Sequence, residues 1–293
     1  MSSVLVTGSS SGFGELTARL LATRGYRVYA SMRGVGGRNA DAAERMNHWA
    51  ADQGVDLVVT ELDLTSDTSV RDAIDSIVST PDGIDVVVNN AAGNAGGPLE
   101  AFSIAQMAAM LDVNVLGPMR VNKAVLPSMR ARGSGLIIWV TSTLGRVLPG
   151  TGGLYPATKW AAEGFAESLH HQVAPFGVDV AILEPGSFPT PIHGKSMPPD
   201  EASVAAAYAT LQRPSRAAAR GSAAALPDPG EVADAVLRLI ELPAGSRPLR
   251  TVVGPVFTEG VADYNETYEQ LCRDMAETLR RPDQAISWGR RAR

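Results

Sequence analysis

The stretch Val4-Leu5-Val6-Thr7-Gly8-Ser9-Ser10-Ser11-Gly12-Phe13-Gly14 decides the fold. An apolar run stops at a glycine-rich turn, and helical periodicity then continues to about Arg24. Glycine at 8 permits the tight turn, at 12 lets backbone approach a diphosphate, and at 14 lets helix pack closely on sheet. The helix N-terminus would offer unbonded N–H groups and the positive end of its dipole to the phosphates. A plain connecting turn is the other reading. The position of the glycines between strand and helix favours the phosphate cradle.

The same strand-then-helix rhythm runs outward from this turn. Further strands are expected at Arg27–Ser31, Asp56–Leu62, Asp85–Asn89, Leu136–Thr141, Val178–Leu183 and Arg250–Val253. Helices are expected near Gly12–Arg24, Asp41–Gln53, Ser69–Ser79, Ile104–Arg132, Pro156–Ala174 and Glu231–Glu241. Such alternation implies right-handed crossovers and a parallel sheet covered on both faces, which is why the strands read as continuous apolar runs. Pro118 should bend the long fourth helix. The Ala-, Pro- and Arg-rich segment Thr190–Gly230 is long for a connection and reads as a lid or a disordered stretch. Thr258–Arg281 reads as an amphipathic terminal helix. The expectation is one domain over residues 1–293, with a lid at about 190–230 and a helical extension at about 256–293.

Composition narrows the function. A formal charge of −5 argues against a nucleic-acid surface, and the basic end Arg290-Arg291-Ala292-Arg293 reads as a solvated tail. Cys272 is the single cysteine, so no internal disulfide can form. No positively charged leader and no apolar window of the ~20 residues needed for a span is visible, so a cytoplasmic protein is expected. His170 and His171 are adjacent on a helix and cannot share a face, so no metal site is expected. Met107 and Met110 have the spacing of core residues.

The chemistry gathers around Tyr155-Pro156-Ala157-Thr158-Lys159. Four residues apart at a helix start, phenol and ammonium share one face. A surface helix pair would look the same. A free phenol titrates near ~10, and a neighbouring Lys⁺ together with a positively charged cofactor ring should favour the phenolate and let Tyr155 exchange a proton at an alcohol or carbonyl oxygen. Ser142 ends a strand upstream, where ligands of open α/β sheets bind, and its hydroxyl could orient the same oxygen.

Taken in order, Thr7-Gly8 to Gly14, Asp63, Asn89-Asn90-Ala91, Asn114, Ser142, the Tyr155/Lys159 pair and Pro185-Gly186 with Thr190 resemble the short-chain dehydrogenase/reductase family. The resemblance covers about residues 3–255. It implies a doubly wound Rossmann-type α/β domain of about seven strands, ordered 3-2-1-4-5-6-7. It also implies a homodimer or homotetramer packed through the helices that hold Asn114 and Tyr155. By resemblance, Asn114 completes a proton relay through water to Lys159, and Lys159 also bonds the nicotinamide ribose. Asn90 stabilises the central strands, Ala91 lies along the cofactor, and Pro185-Gly186 meets the carboxamide. Asp63 would contact adenine, although a carboxylate flanking a helix beside Thr65 and Ser66 reads equally well. Ala92 departs from the family glycine, which puts fine cofactor geometry in question.

The cofactor contacts expected from these readings are Gly8, Ser10, Ser11, Gly12, Phe13, Gly14, Arg33, Asp63, Leu64, Asn90, Ala91, Tyr155, Lys159, Pro185, Gly186, Phe188 and Thr190. NADP(H) is favoured over NAD(H): Met32 stands where an acid would bind the ribose hydroxyls, and the guanidinium of Arg33 follows. The expected activity is hydride transfer between this cofactor and an alcohol or carbonyl carbon. Apolar surroundings at Leu148 and Phe188 suggest a hydrophobic ketone, alcohol or steroid-like substrate. The lid is expected to line the pocket with Phe188, Ile192, Met197, Tyr208 and Leu211. Two rival readings are a cofactor-binding regulator without turnover and an epimerase or dehydratase that retains its NADP.

Overall fold

The computed structural model describes residues 2–80, 83–148, 153–210, 227–255 and 258–279. Seven parallel strands form one sheet: β1 (Ser3–Thr7), β2 (Arg27–Met32), β3 (Leu57–Glu61), β4 (Val86–Asn89), β5 (Gly135–Val140), β6 (Val178–Pro185) and β7 (Arg250–Val253). Their spatial order is β3-β2-β1-β4-β5-β6-β7, as the resemblance implied. The main chain reverses direction of winding at β1, so the carboxyl ends of β1 and β4 flank a crevice.

Side chains alternate between two cores, one on each face. Leu5, Val87, Ile137, Trp139, Val180 and Ile182 face helices α3 (Asp67–Val78), α5 (Gly117–Arg132) and α6 (Leu154–Val173). Val4, Val6, Val88, Ile138 and Leu183 face α1 (Gly12–Thr23), α2 (Ala40–Gln53) and α8 (Gly230–Glu241). Both faces are covered by helices, so both halves of the alternation are mostly apolar. Each fully buried aliphatic side chain contributes ~1.5–3 kcal/mol relative to exposure.

The fourth helix differs from its expectation. Instead of one bent helix over Ile104–Arg132, there are α4 (Ile104–Leu111), a π-helical turn over Asp112–Leu116, and α5. A capping box of Ser103 and Gln106 starts α4. Pro118 falls in the first turn of α5, where its missing N–H costs nothing, and the wider turn before it absorbs the change of register. Gly117 is needed at that junction, because a Cβ there would lie 2.7 Å from the Cβ of Leu64.

The segment after β6 was expected as a lid. Its described part follows the shoulder of the sheet: Ser196–Met197 pairs with Asn94–Ala95 in a two-stranded parallel ribbon, and α7 (Ala202–Ala207) follows. Gln106 ties it further, donating to Pro198 O and accepting from Asp200 N. Met197 packs against a small cluster with Phe102, Met110 and Leu154, and the Tyr208 hydroxyl bonds Glu100. Neither residue lines the main cleft, contrary to expectation, because Met197 is turned toward Met110 on α4 and Tyr208 toward Glu100 ahead of that helix. Leu211 lies outside the described residues. The terminal helix α9 (Glu259–Thr278) buries Val261, Asn265 and Ala276.

Candidate active site

Four strand ends open into one cleft of about 800 Å³. β1 delivers Thr7 and the glycine turn, β4 delivers Asn90 and Ala91, β5 delivers Ser142, and β6 delivers Pro185 and Gly186. The α1 N-terminus has no side-chain cap, so its N–H groups are left for a ligand on the cleft side lined by Ser10, Ser11, Gly12 and Phe13.

The glycines hold this turn open in the way the residues suggested. Gly8 has φ of 72°, and a Cβ there would lie 2.7 Å from the Cα of Ala91. Gly14 does not line the cleft; a Cβ on it would collide with Asn90 Nδ2 and the Gly8 carbonyl. Asn90 occupies that space to splice two strands, donating Nδ2–H to Thr7 O at 2.8 Å. Thr7 completes the splice, its Oγ1 accepting from the N–H groups of Asn90 and Ala91 at 3.0 and 3.1 Å. The neighbouring Asn89 turns away and bonds Asn122 on α5.

At the catalytic end, Ser142 Oγ accepts from Leu144 N–H at 3.1 Å, capping a short 3₁₀ turn, and it lines the cleft together with Tyr155. Lys159 is buried one turn along α6, donating to Val140 O at 3.0 Å and lying 5.6 Å from the centre of the Tyr155 ring. Burial pushes the Tyr155 phenol up to about 12, against the downward pull of Ser142. Burial also pushes Lys159 down to about 8, opposed by the charge of Glu163. The expectation that Lys159 would hold the phenol below its ordinary value is therefore corrected for the protein's own groups. Lys159 gives one of its three donors to Val140 O, and desolvation of the phenolate outweighs the attraction of the ammonium.

Asn114 sits in the π turn and does not line the cleft. Its Nδ2 donates to Thr158 Oγ1 at 2.8 Å and Gly93 O at 3.1 Å, and its Oδ1 accepts from Gly93 N at 2.7 Å. The side chain thus locks α6, next to Lys159, onto the π turn.

At the far end, Arg33 and Asp63 line the cleft, with Leu64 beside them. Asp63 takes the helix-flanking role considered for it, and it also lines the cleft. Its carboxylate accepts from Thr65 N and Oγ1, while Ser66 caps α3. Despite partial burial its carboxyl is held below the usual value by those bonds and by Arg33 and Arg38. Arg38 was not anticipated. The turn after β2 folds back through Gly37 N to Gly34 O, and Glu61 clamps it by accepting from Gly34 N and Val35 N at 2.7 Å each. That fold brings a second guanidinium to the cleft beside Arg33. Lys195 was also missed; its Nζ reaches Ser11 Oγ at 3.5 Å. Only the distribution of cations in two loops hinted at either residue.

Thr190 and Ile192 line the cleft, as does Ala92. Phe188 touches it too, but is 3% exposed and packs edge-on against Phe13 at 5.5 Å, so it is a core residue and not part of a lid. Leu148 is exposed and does not line the cleft, which removes it as a guide to substrate.

A family model described as short chain dehydrogenase matches residues 2–201. The chain belongs to the short-chain dehydrogenase family. Among its relatives, 3-ketodihydrosphingosine reductase of Bacteroides thetaiotaomicron is 35% identical over 187 residues, covering 64% of each chain. Human retinol dehydrogenase 8 is 38% identical over 198 residues, 66% of this chain and 60% of the relative. The match thus spans less than two thirds of the length of both relatives. Among solved structures, an alcohol dehydrogenase from Thermococcus sibiricus complexed with 5-hydroxy-NADP superposes with a TM-score of 0.70 at 29% identity, covering 88% of this chain and 98% of that one. No helix among the described residues of this short-chain dehydrogenase is long and apolar enough to cross a membrane.

Proposed function

We propose that the protein is an NADP(H)-dependent oxidoreductase that interconverts an alcohol and a carbonyl compound, with Tyr155 as proton donor and acceptor. The observation that carries this reading is that Ser142, Tyr155 and Lys159 line one wall of the same cleft, with the Lys159 ammonium 5.6 Å from the centre of the Tyr155 ring. A pure cofactor-binding regulator would need the glycine turn and the arginines alone.

The residues present fit a dinucleotide. The uncapped α1 N-terminus with Gly12 and Ser11 would hold the diphosphate, and Lys195 adds a cation beside it. Arg33 and Arg38 would hold a ribose 2′-phosphate, while Met32, buried in the sheet, offers no carboxylate to ribose hydroxyls. This arrangement supports NADP(H) over NAD(H), and the NADP-type ligand of the Thermococcus relative accords with it. A nicotinamide lying toward Pro185 and Gly186 supplies a two-electron hydride donor or acceptor.

The chain's own groups handle the proton. In reduction, neutral Tyr155 donates its phenolic proton to the substrate oxygen as charge develops there. Ser142 donates a hydrogen bond to the same oxygen and so fixes its distance from the phenol. Lys159 stays charged below its depressed pKa of about 8 and stabilises the phenolate left by transfer. Oxidation runs the same steps in reverse.

We take the substrate to be a hydrophobic ketone, alcohol or steroid-like molecule, because Val113, Leu144 and Ile192 form apolar wall in the cleft and a retinol dehydrogenase is among the relatives. A homodimer or homotetramer through α4, α5 and α6 belongs to the same reading, since Leu111, Leu116, Trp160 and Phe165 are exposed there. The test is a panel of ketones and alcohols followed by NADPH absorbance, with Tyr155→Phe beside the wild type. Tyr155→Phe should lose ~10²–10⁴-fold in turnover and keep its NADPH affinity. A variant retaining more than about a tenth of wild-type turnover would remove Tyr155 from the proton transfer.

A further inference from the structure

Behind the cleft lies a layer of buried charge that the reaction does not touch. Glu163 accepts from Thr141 Oγ1 at 2.6 Å and from Arg250 Nε at 3.0 Å. Arg250 also pairs with Glu167 at 2.6 Å and lies 3.5 Å from Glu184. Three site residues border this layer directly: Ser142 follows Thr141, Lys159 precedes Glu163 by one helical turn, and Pro185 follows Glu184. A displacement within the layer therefore reaches Ser142, Lys159 and Pro185, three of the groups that meet the substrate and the nicotinamide in the reading above.

The terminal helix α9 closes the layer with one amide. Asn265, 6% exposed, donates Nδ2–H to Glu184 Oε2 at 2.6 Å, and its Oδ1 accepts from Arg146 Nε at 2.8 Å. Arg146 follows the 3₁₀ turn that Ser142 caps, and its guanidinium lies 4.7 and 4.6 Å from the ring centres of Tyr264 and Tyr268. β5 and β6 are already joined by their backbone ladder. Asn265 adds a side-chain bridge between Arg146, after β5, and Glu184 on β6, which otherwise approach each other only at 3.9 Å. The family match ends at residue 201, so this bridge comes from outside the matched region.

We propose that Asn265 is a positioning residue for proton and hydride transfer: by bridging Glu184 and Arg146 it fixes the buried layer on which Ser142, Lys159 and Pro185 rest. This rests on the cofactor and activity reading above. An amide suits the position because it donates to Glu184 and accepts from Arg146 at every pH, whereas a carboxylate satisfies Glu184 only while Glu184 is protonated and an apolar group satisfies neither. Glu184 faces Glu163, Arg146 and Arg250 as well as Asn265, and burial with the Glu163 charge pushes it up to about 8.

The test compares Asn265→Leu, Asn265→Asp and the double variant Asn265→Asp with Glu184→Gln, as full chains matched for folded content by circular dichroism. In Asn265→Leu, kcat for carbonyl reduction should fall about tenfold or more with KM little changed, because misplacement by a fraction of an ångström is costly at the reacting atoms. The emission of bound NADPH, a nicotinamide property readable without turnover, should change with it. Asn265→Asp keeps the Arg146 pairing and can accept from protonated Glu184. Its kcat should approach wild type near pH 6 and fall away near pH 9, where two carboxylates face each other. Adding Glu184→Gln should abolish that pH dependence, since a glutamine amide donates at every pH. If Asn265→Leu does not fold, the Asp variant and the double variant decide alone. Variants with wild-type kcat per folded molecule, unchanged NADPH emission and parallel pH profiles overturn the inference, whatever their Tm. A wild type that binds no NADPH overturns the cofactor reading, and this inference with it.

Discussion

Removing either guanidinium at the far end of the cleft should separate the two nicotinamide cofactors. Arg33 and Arg38 both line that end, and both act on Asp63 through space. Each would contribute a charge-assisted hydrogen bond to a 2′-phosphate, a bond class worth ~1.5–3 kcal/mol. Both arginines are exposed, so screening keeps the value near the lower end. About 1.5 kcal/mol is roughly a tenfold loss of NADPH affinity for each single alanine variant. Asp63 sharpens the contrast, because a carboxylate left without its arginines repels the phosphate. Arg33→Ala and Arg38→Ala together should therefore lose at least the product of the single effects, on the order of a hundredfold. NADH lacks the phosphate and should change by no more than about twofold, within the range of ordinary surface substitutions. Fluorescence titration of each variant with NADPH and NADH, at low and high salt, measures all of this. The NADPH advantage should shrink as salt rises. Equal losses for both cofactors, or an NADPH advantage indifferent to salt, would refute the placement of the phosphate between these arginines.

Other outcomes follow from the same geometry. The reductive kcat/KM, which reports groups of the free enzyme, should fall as pH rises through about 8, where Lys159 loses its proton, and not near the phenol at about 12. A profile flat to pH 10, with chemistry shown to be rate-limiting by isotope effect, would contradict that assignment. Gly14→Ala should cost ~1–3 kcal/mol by overpacking, because the added methyl meets Asn90 and the Gly8 carbonyl, and should weaken NADPH and NADH alike; a cofactor-selective effect in titration would count against it. Arg250→Met should cost ~3–5 kcal/mol at pH 8 by stranding Glu163 and Glu184. Both carboxyls already titrate above their ordinary values, so their protonated forms favour the folded state and the deficit should shrink as pH is lowered toward 5. Thermal melts across pH check this, and a pH-independent deficit would show that burial of charge is not its cause.

The fold was legible because its signals are local and repeated. β7 could be read as Arg250–Val253 from four residues, and the glycine turn at Gly8 to Gly14 announced both its backbone geometry and its place between strand and helix. What escaped depends on contacts distant in sequence. The π turn at Asp112–Leu116 has no pattern of its own and shows only as a helix pattern followed by Gly117-Pro118. Arg38 reaches the cleft because Glu61, on another strand, clamps the turn that carries it. Phe188 does line the cleft as its position suggested, but Gly254 and Phe13 bury most of its ring. The paired ribbon of Asn94–Ala95 and Ser196–Met197 is too short for any periodicity, yet it directs Met197 away from the cleft. The Tyr155 titration failed for a different reason: counting charges nearby in sequence omits desolvation, which here exceeds them.

The buried layer also bears on why α9 is built as it is. Filling the space among Thr141, Glu163, Glu184 and Arg250 with apolar side chains would commonly equal or exceed a buried ion network in stability, since desolvating charges costs several kcal/mol each. Stability alone therefore gives little reason for three carboxylates and two guanidiniums there. Orientation gives a stronger one. Apolar packing tolerates small slips, whereas hydrogen bonds of 2.6 Å from Thr141 to Glu163 and from Asn265 to Glu184 fix both distance and direction. The residues that need such fixing are the chain neighbours Ser142 and Pro185, together with Lys159 one turn before Glu163. A helix that supplied only apolar cover would leave Glu184 and Arg146 without the amide between them. The β5–β6 backbone ladder would still hold the strands, but the side chains of the layer would lose the fixed orientation on which Ser142, Lys159 and Pro185 rest, and proton and hydride transfer tolerate little misplacement.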